Sequence, residues 1–145
     1  MPGYGNDARP LAAVTGASRG LGHAIATELA SDHDVLLGGR DQGALSSAAA
    51  GCGGRVWPVD LTDHDALRAA TRDVRRLDVL VHNAAVWAAG SVADTTTEAW
   101  RDMFEVNLFG VVELTRLLLP ALREEQPPAT APIFDLVVRP PMPAT

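Results

Sequence analysis

Leu11-Ala12-Ala13-Val14-Thr15-Gly16-Ala17-Ser18-Arg19-Gly20-Leu21-Gly22 is the stretch on which the fold turns. Leu11 to Thr15 is a short apolar run of the kind a buried strand needs, and a Gly-rich turn ends it. Beyond the turn Leu21, Ala24, Ile25 and Leu29 fall at helical spacing, so an amphipathic helix runs from Leu21 to about Ala30. Glycine in such a turn permits positive φ and lets backbone approach a phosphate closely. The helix N-terminus adds unpaired N–H groups and a partial positive charge. Gly16, Gly20 and Gly22 are therefore the expected phosphate cradle, with Ser18 and Arg19 able to add direct contacts. A tight strand-to-helix turn with no ligand would use the same glycines, so the rest of the chain has to decide.

Working outward, Asp34 to Gly38 reads as a second strand, ended by Gly39-Arg40-Asp41. Asp41 is placed to N-cap an Ala-rich helix reaching about Ala50, which Gly51-Cys52-Gly53-Gly54 breaks. Arg55 to Val59 forms a third strand. Asp63-His64-Asp65 then opens a third helix, with acids in its first turn ahead of Ala66, Leu67, Ala70 and Val74. Asp78 to His82 is a fourth strand. A long helix begins at Thr96 or Thr97, with an apolar stripe of Trp100, Met103, Phe104, Leu108, Val111, Leu114, Leu118 and Leu122. Short alternating strands and helices imply an α/β class, with a doubly wound parallel sheet and helices on both faces. Seven of the ten prolines lie at or beyond Pro120. Ile133 to Val138 can supply a fifth strand, but Pro140, Pro141 and Pro143 forbid helix or central strand after it. The expected organisation is an N-terminal leader over 1–10, one nucleotide-binding domain over 11–126 and a Pro-rich tail over 127–145.

The 145 residues suit one domain, and 47% apolar with 21% charged residues is an ordinary globular balance. Net charge is −6 and the twelve basic residues are dispersed, which argues against a nucleic-acid surface. No apolar run approaches the roughly 20 residues of a membrane helix, and Met1 to Asp7 does not read as a signal peptide. Cys52 is the only cysteine, so a reducing, cytoplasmic location is expected, with no membrane, no nucleic acid and no metal. Every basic residue is Arg. Lys is absent, and the sole Tyr, Tyr4, precedes the first strand.

Thr15-Gly16-x-x-x-Gly20-x-Gly22 resembles the cofactor motif of the short-chain dehydrogenase/reductase family, and the likeness runs in register from about Leu11 to about Leu122. It implies an incomplete Rossmann-type sheet of four to five strands binding a nicotinamide dinucleotide. Gly16, Ser18, Arg19, Gly20, Leu21 and Gly22 would hold the pyrophosphate end. Arg19 and Arg40, with no acid at the end of strand two, are similar to the NADP-preferring pattern, although solvated arginines would look the same; Asp41 would weaken the preference if it pointed inward. Asp60-Leu61 resembles the adenine-contacting pair, with Asp60 as a turn cap the alternative. His82-Asn83-Ala84-Ala85 stands where the family has Asn-Asn-Ala-Gly; Asn83 and Ala84 match, His82 and Ala85 do not, and His82 reads as a packed or capping residue. Asn107 matches the helix Asn that anchors a water in the family's proton relay, or is an amide satisfied by neighbouring backbone.

The family's chemistry is hydride transfer between nicotinamide and a carbonyl or alcohol carbon, with a Ser and a Tyr-x-x-x-Lys pair acting on the oxygen. Here the last Ser is Ser91, and no Lys exists. The resemblance therefore implies a C-terminally truncated NADP(H)-dependent oxidoreductase, inactive alone, with Asn107 the sole relay residue. The Pro/Arg/Ala-rich end fits a shifted reading frame in GC-rich DNA, and the DNA beyond codon 125 would decide that. The alternative is a non-catalytic NADP(H) sensor or a module completed by a partner, with a homo-oligomer through the long helix 97–123. A flavodoxin-like domain without nucleotide is the third reading.

Overall fold

The computed structural model describes residues 9–123. Strand β1 (Leu11–Thr15) is followed by α1 (Gly20–Leu29), β2 (Asp34–Gly39), α2 (Gln42–Cys52), β3 (Arg55–Pro58), α3 (His64–Thr71) and β4 (Val79–Val81). The last stretch is α4 (Thr97–Phe104), a π-helical segment (Glu105–Gly110) and α5 (Val111–Arg123). All strand pairs are parallel and the order is β3-β2-β1-β4. This is the expected doubly wound α/β sheet. The leader up to residue 8, residues 124–126 and the tail with its expected strand at 133–138 lie outside the described residues.

The two-residue period of a strand explains how so small a sheet fills two cores. Leu11 and Ala13 point to one face with Leu36 and Trp57, where Leu67 of α3 and Leu114 and Leu118 of α5 cover them. Ala12 and Val14 point to the other with Val35 and Leu37, under Ala26 of α1 and Leu45, Ala48 and Ala49 of α2. Every residue of β1 is buried, as a strand hydrogen-bonded on both sides and covered on both faces must be. Trp57 is 1% exposed, and its indole N–H donates to the Ala70 carbonyl at 3.0 Å, so its one polar atom is satisfied inside.

The helix starts follow side-chain capping. Asp41 accepts from Ala44 N at 3.0 Å, Asp63 from Asp65 and Ala66 N, and Thr96 from Ala99 N. Strand ends move slightly from expectation: β3 stops at Pro58, and β4 spans Val79–Val81. Asp78 sits just outside the ladder, taking the Leu11 N–H on its carboxylate at 2.7 Å. Helix α3 ends at Thr71, yet Val74 is still buried.

The long helix needs the largest correction. Of the expected stripe, Met103, Leu114 and Leu118 are buried, whereas Trp100, Phe104 and Leu108 are 40–49% exposed. Trp100 and Phe104 belong to α4 and already face outward ahead of the π segment, so the exposed positions lie beside the buried line and not on it. The inward line is instead Met103, Val106, Gly110, Leu114, Leu118 and Ala121. Among the described residues no helix is long and apolar enough to cross a membrane.

Candidate nucleotide-binding groove

Parallel strands place all their C-terminal ends on one edge, and the loops leaving them enclose a groove of about 1040 Å³. The turn after β1 supplies Thr15, Gly16, Ser18, Arg19, Gly20 and Leu21. Gly39, Arg40, Asp41 and Ala44 follow β2; Val59, Asp60 and Leu61 follow β3; Asn83 to Val86 follow β4; Val106 closes one flank.

The glycine turn is built for close approach. Gly16 and Gly20 have φ of +67° and +57°, a region that L side chains rarely adopt. A Cβ on Gly16 would lie 2.8 Å from Ala84 Cα, so even the space is taken. At the start of α1, Arg19 is extended and its side chain makes no cap; the first turn holds no acid. The leading N–H groups of α1 are thus left for an anion, with the helix dipole in support.

Gly22 stands behind the groove, not on it. A Cβ there would meet Gly16 O at 2.3 Å and Asn83 Nδ2 at 2.4 Å, so this glycine lets α1 pack beneath the turn. Asn83 is likewise a builder of the site as well as a wall. Its amide donates to Thr15 O at 3.0 Å and Gly16 O at 3.1 Å. The Thr15 hydroxyl, buried at the end of β1, accepts from Asn83 N and Ala84 N at 3.1 Å and donates to Val81 O at 3.3 Å. Thr15 and Asn83 together lock the ends of β1 and β4.

Arg19 and Arg40 are exposed on the groove. The Asp60 carboxylate is held below its ordinary range chiefly by the Thr62 backbone N–H at 2.9 Å. The Thr62 hydroxyl at 2.8 Å and the nearby Arg40 charge act in the same direction, against partial burial. Asp60 therefore forms the turn expected of a cap and also lines the groove. Asp41 lines the groove while one carboxylate oxygen serves the N-terminus of α2.

Asn107 is not among the residues lining the groove. Its Oδ1 accepts from Val86 N at 2.9 Å and its Nδ2 donates to Val86 O at 2.8 Å, so the amide clasps the loop after β4. The expectation of neighbouring-backbone satisfaction describes this geometry, but on an exposed side chain instead of a core one. Ala88 N adds a bond to Met103 Sδ at 3.4 Å. His82 Nε2 lies 2.9 Å from Thr115 Oγ1 on α5.

Ten expected site residues, Gly16, Ser18, Arg19, Gly20, Leu21, Arg40, Asp60, Leu61, Asn83 and Ala84, share this one groove. Thr15, Gly39, Ala44, Val59, Val86 and Val106 line it too without having been expected as contacts. Asp41, expected to cap α2 and to weaken the NADP(H) preference if it pointed inward, lines it as well. Thr15 and Val59 were within reach, each being the strand residue immediately before a marked turn. Val106 was not marked, although it lies one turn after Met103 on the inward line. The groove fits a dinucleotide by its own features: an uncapped helix N-terminus, backbone too close for a Cβ at Gly16, and two arginines at the rim.

A family model described as short chain dehydrogenase matches residues 10–129. The chain is 34% identical over 127 residues to the short-chain dehydrogenase anuI of Penicillium roqueforti, covering 79% of this chain and 50% of that protein. A crystal structure of a short-chain dehydrogenase from Streptomyces avermitilis superposes with a TM-score of 0.75 at 36% identity, covering 82% of this chain and 46% of that one. A metagenomic short-chain oxidoreductase solved in complex with NADP has a TM-score of 0.69 at 36% identity, covering 78% and 56%. The chain spans about half the length of the curated relatives it matches. With a family model matching residues 10–129 and a solved relative superposing at 36% identity, the chain belongs to the short-chain dehydrogenase/reductase family of oxidoreductases.

Proposed function

We propose that this chain binds NADP(H) in the groove and forms the nucleotide-holding part of a short-chain oxidoreductase. The observation that carries the reading is the uncapped N-terminus of α1 meeting Arg19 and Arg40 on one groove whose β2 strand ends in Gly39 with no acid. An acid at that position would accept from ribose hydroxyls and repel a 2′-phosphate, whereas arginines favour it. Gly16, Gly20 and the first N–H groups of α1 would hold the pyrophosphate, Arg40 and Arg19 the 2′-phosphate, and Asp60 with Leu61 the adenine. Bound NADP(H) would supply or accept a hydride; the parental reaction is carbonyl reduction or alcohol oxidation.

On this reading these 145 residues bind cofactor but do not turn over substrate alone. They hold no Lys, their only Tyr is Tyr4, and no Ser follows Ser91. Losing general acid–base assistance lowers a rate about 10²–10⁴-fold, and Asn107, with both amide ends on Val86, stands as a positioning residue for the loop. Titration calorimetry with NADPH and NADH tests the assignment: tighter NADPH binding is expected, and equal affinities sink it. Carbonyl-dependent NADPH oxidation by the isolated chain at rates ordinary for enzymes would overturn the inactivity.

A second reading is favoured by the surface. β4 is an edge of the described sheet, half-exposed along Val79–Val81, and the long helix shows Trp100, Phe104, Leu108, Phe109 and Val112 to solvent. Such edges and patches invite association, so the module is completed by a second chain, through the 97–123 face in a homo-oligomer. The lone Cys52 suits a cytoplasmic setting for either reading.

A further inference from the structure

We propose that His82 is a positioning residue for the bound dinucleotide, pinning the C-terminal end of β4 to α5 through an Nε2–H···Oγ1 bond to Thr115. The proposal rests on the NADP(H) reading of the groove. The direction of the bond follows from a proton count. Thr115 Oγ1 lies 2.8 Å from Val111 O and 2.9 Å from His82 Nε2. A threonine hydroxyl has one proton, and Val111 O can only accept. Thr115 therefore donates to Val111, its oxygen accepts from His82, and the imidazole carries its proton on Nε2.

The place of this bond gives it a role beyond packing. Among the described residues β4 pairs with β1 only, through Val79, Leu80 and Val81. Immediately after that ladder come His82, then Asn83 and Ala84, which meet the glycine turn. Thr15 grips Asn83 and Ala84 from the β1 side. Thr115 grips His82, the residue before them, from the helix layer, and Asn107 grips Val86 from the π segment. Between these anchors Ala84 Cα stays 2.8 Å from where a Gly16 Cβ would be. Displacement of the β4 end by a few tenths of an ångström is thus delivered straight to the phosphate turn. Apolar packing would hold the strand in the sheet but would not set its height at the groove; a directional bond to α5 does.

Calorimetric NADPH titration of the full chain and its variants tests this, together with melting temperatures and ¹⁵N-detected histidine tautomers. His82→Phe keeps the ring and removes both nitrogens, and Thr115→Val removes only the hydroxyl. Each is expected to weaken NADPH about three- to tenfold, the worth of one hydrogen bond. The double variant should be no weaker than either single, because both delete the same bond. Thr115→Ser and His82→Gln, which keep an acceptor and a donor in place, should restore wild-type affinity, which a volume effect would not do. The wild-type ring should show the Nε2–H tautomer. Should His82→Phe not fold, the Thr115→Val and Thr115→Ser pair decides alone. Unchanged NADPH affinity in folded Thr115→Val, additive losses in the double variant, or an Nδ1–H ring would each overturn the proposal while leaving the NADP(H) reading intact. A wild-type chain that does not bind NADPH would remove both.

Discussion

Asp60 makes the bonds of a turn cap, taking the Thr62 N–H and hydroxyl on its carboxylate, and also borders the groove beside Arg40. Because those bonds favour the ionised form, its folded pKa lies below the ordinary 3.8. A depressed pKa means stability that is fully present above the unfolded value and lost as pH falls through the folded one. Denaturant unfolding of wild type against Asp60→Asn should give a gap that is constant from neutral pH to about 4 and closes below 3.8. Gly39 allows a sharper test of cofactor choice. A Cβ there makes ordinary contact with Leu45 at 3.4 Å, so Gly39→Asp meets no clash at its Cβ. It should shift preference from NADPH towards NADH by about tenfold or more, as a carboxylate accepts from ribose and repels phosphate; paired calorimetric titrations would show it. Gly16 and Gly22 carry the opposite lesson, since their space is already filled by backbone and Asn83.

At the scale of elements, the capped helices were legible because capping is local: Asp41, Asp63 and Thr96 announce their helices within three residues. The long helix was legible as a helix but not in its facing. Phe104 at the end of α4 and Leu108 in the π segment face outward, while Asn107 reaches Val86. No one-dimensional pattern marks where a helix widens; the loop that needs Asn107 lies 21 residues away. The exposed face leads to a prediction about assembly. If Trp100, Phe104 and Phe109 bury against a second copy, light scattering should find a dimer that Phe104→Glu converts to monomer with secondary structure retained. A monomeric wild type would remove the homo-oligomer. Trp57→Phe should lower stability by about 0.5–1.5 kcal/mol through the lost bond to Ala70 O, measured by urea unfolding.

For the whole molecule, the question is whether a sheet of four described strands holds its two cores. Leu118, 1% exposed between α5 and the sheet, anchors the face that α3 shares. Leu118→Ala should cost about 2–5 kcal/mol, the range for a buried leucine, and unfold the domain at lower denaturant. Saturating NADPH should raise the melting temperature of wild type, since a ligand at 100 times its Kd adds about 2.7 kcal/mol.

By itself the sequence determined the alternation of strands and helices, the parallel class, the glycine turn after β1 and the absence of lysine, because these depend on periodicity, neighbouring residues and counting. Tertiary structure alone decided that Thr15 meets Asn83, that His82 reaches Thr115, and which side of the long helix faces solvent. Those contacts join residues 33 to 68 positions apart. Their geometry follows from how helices settle on a twisted sheet, which no local run of residues encodes.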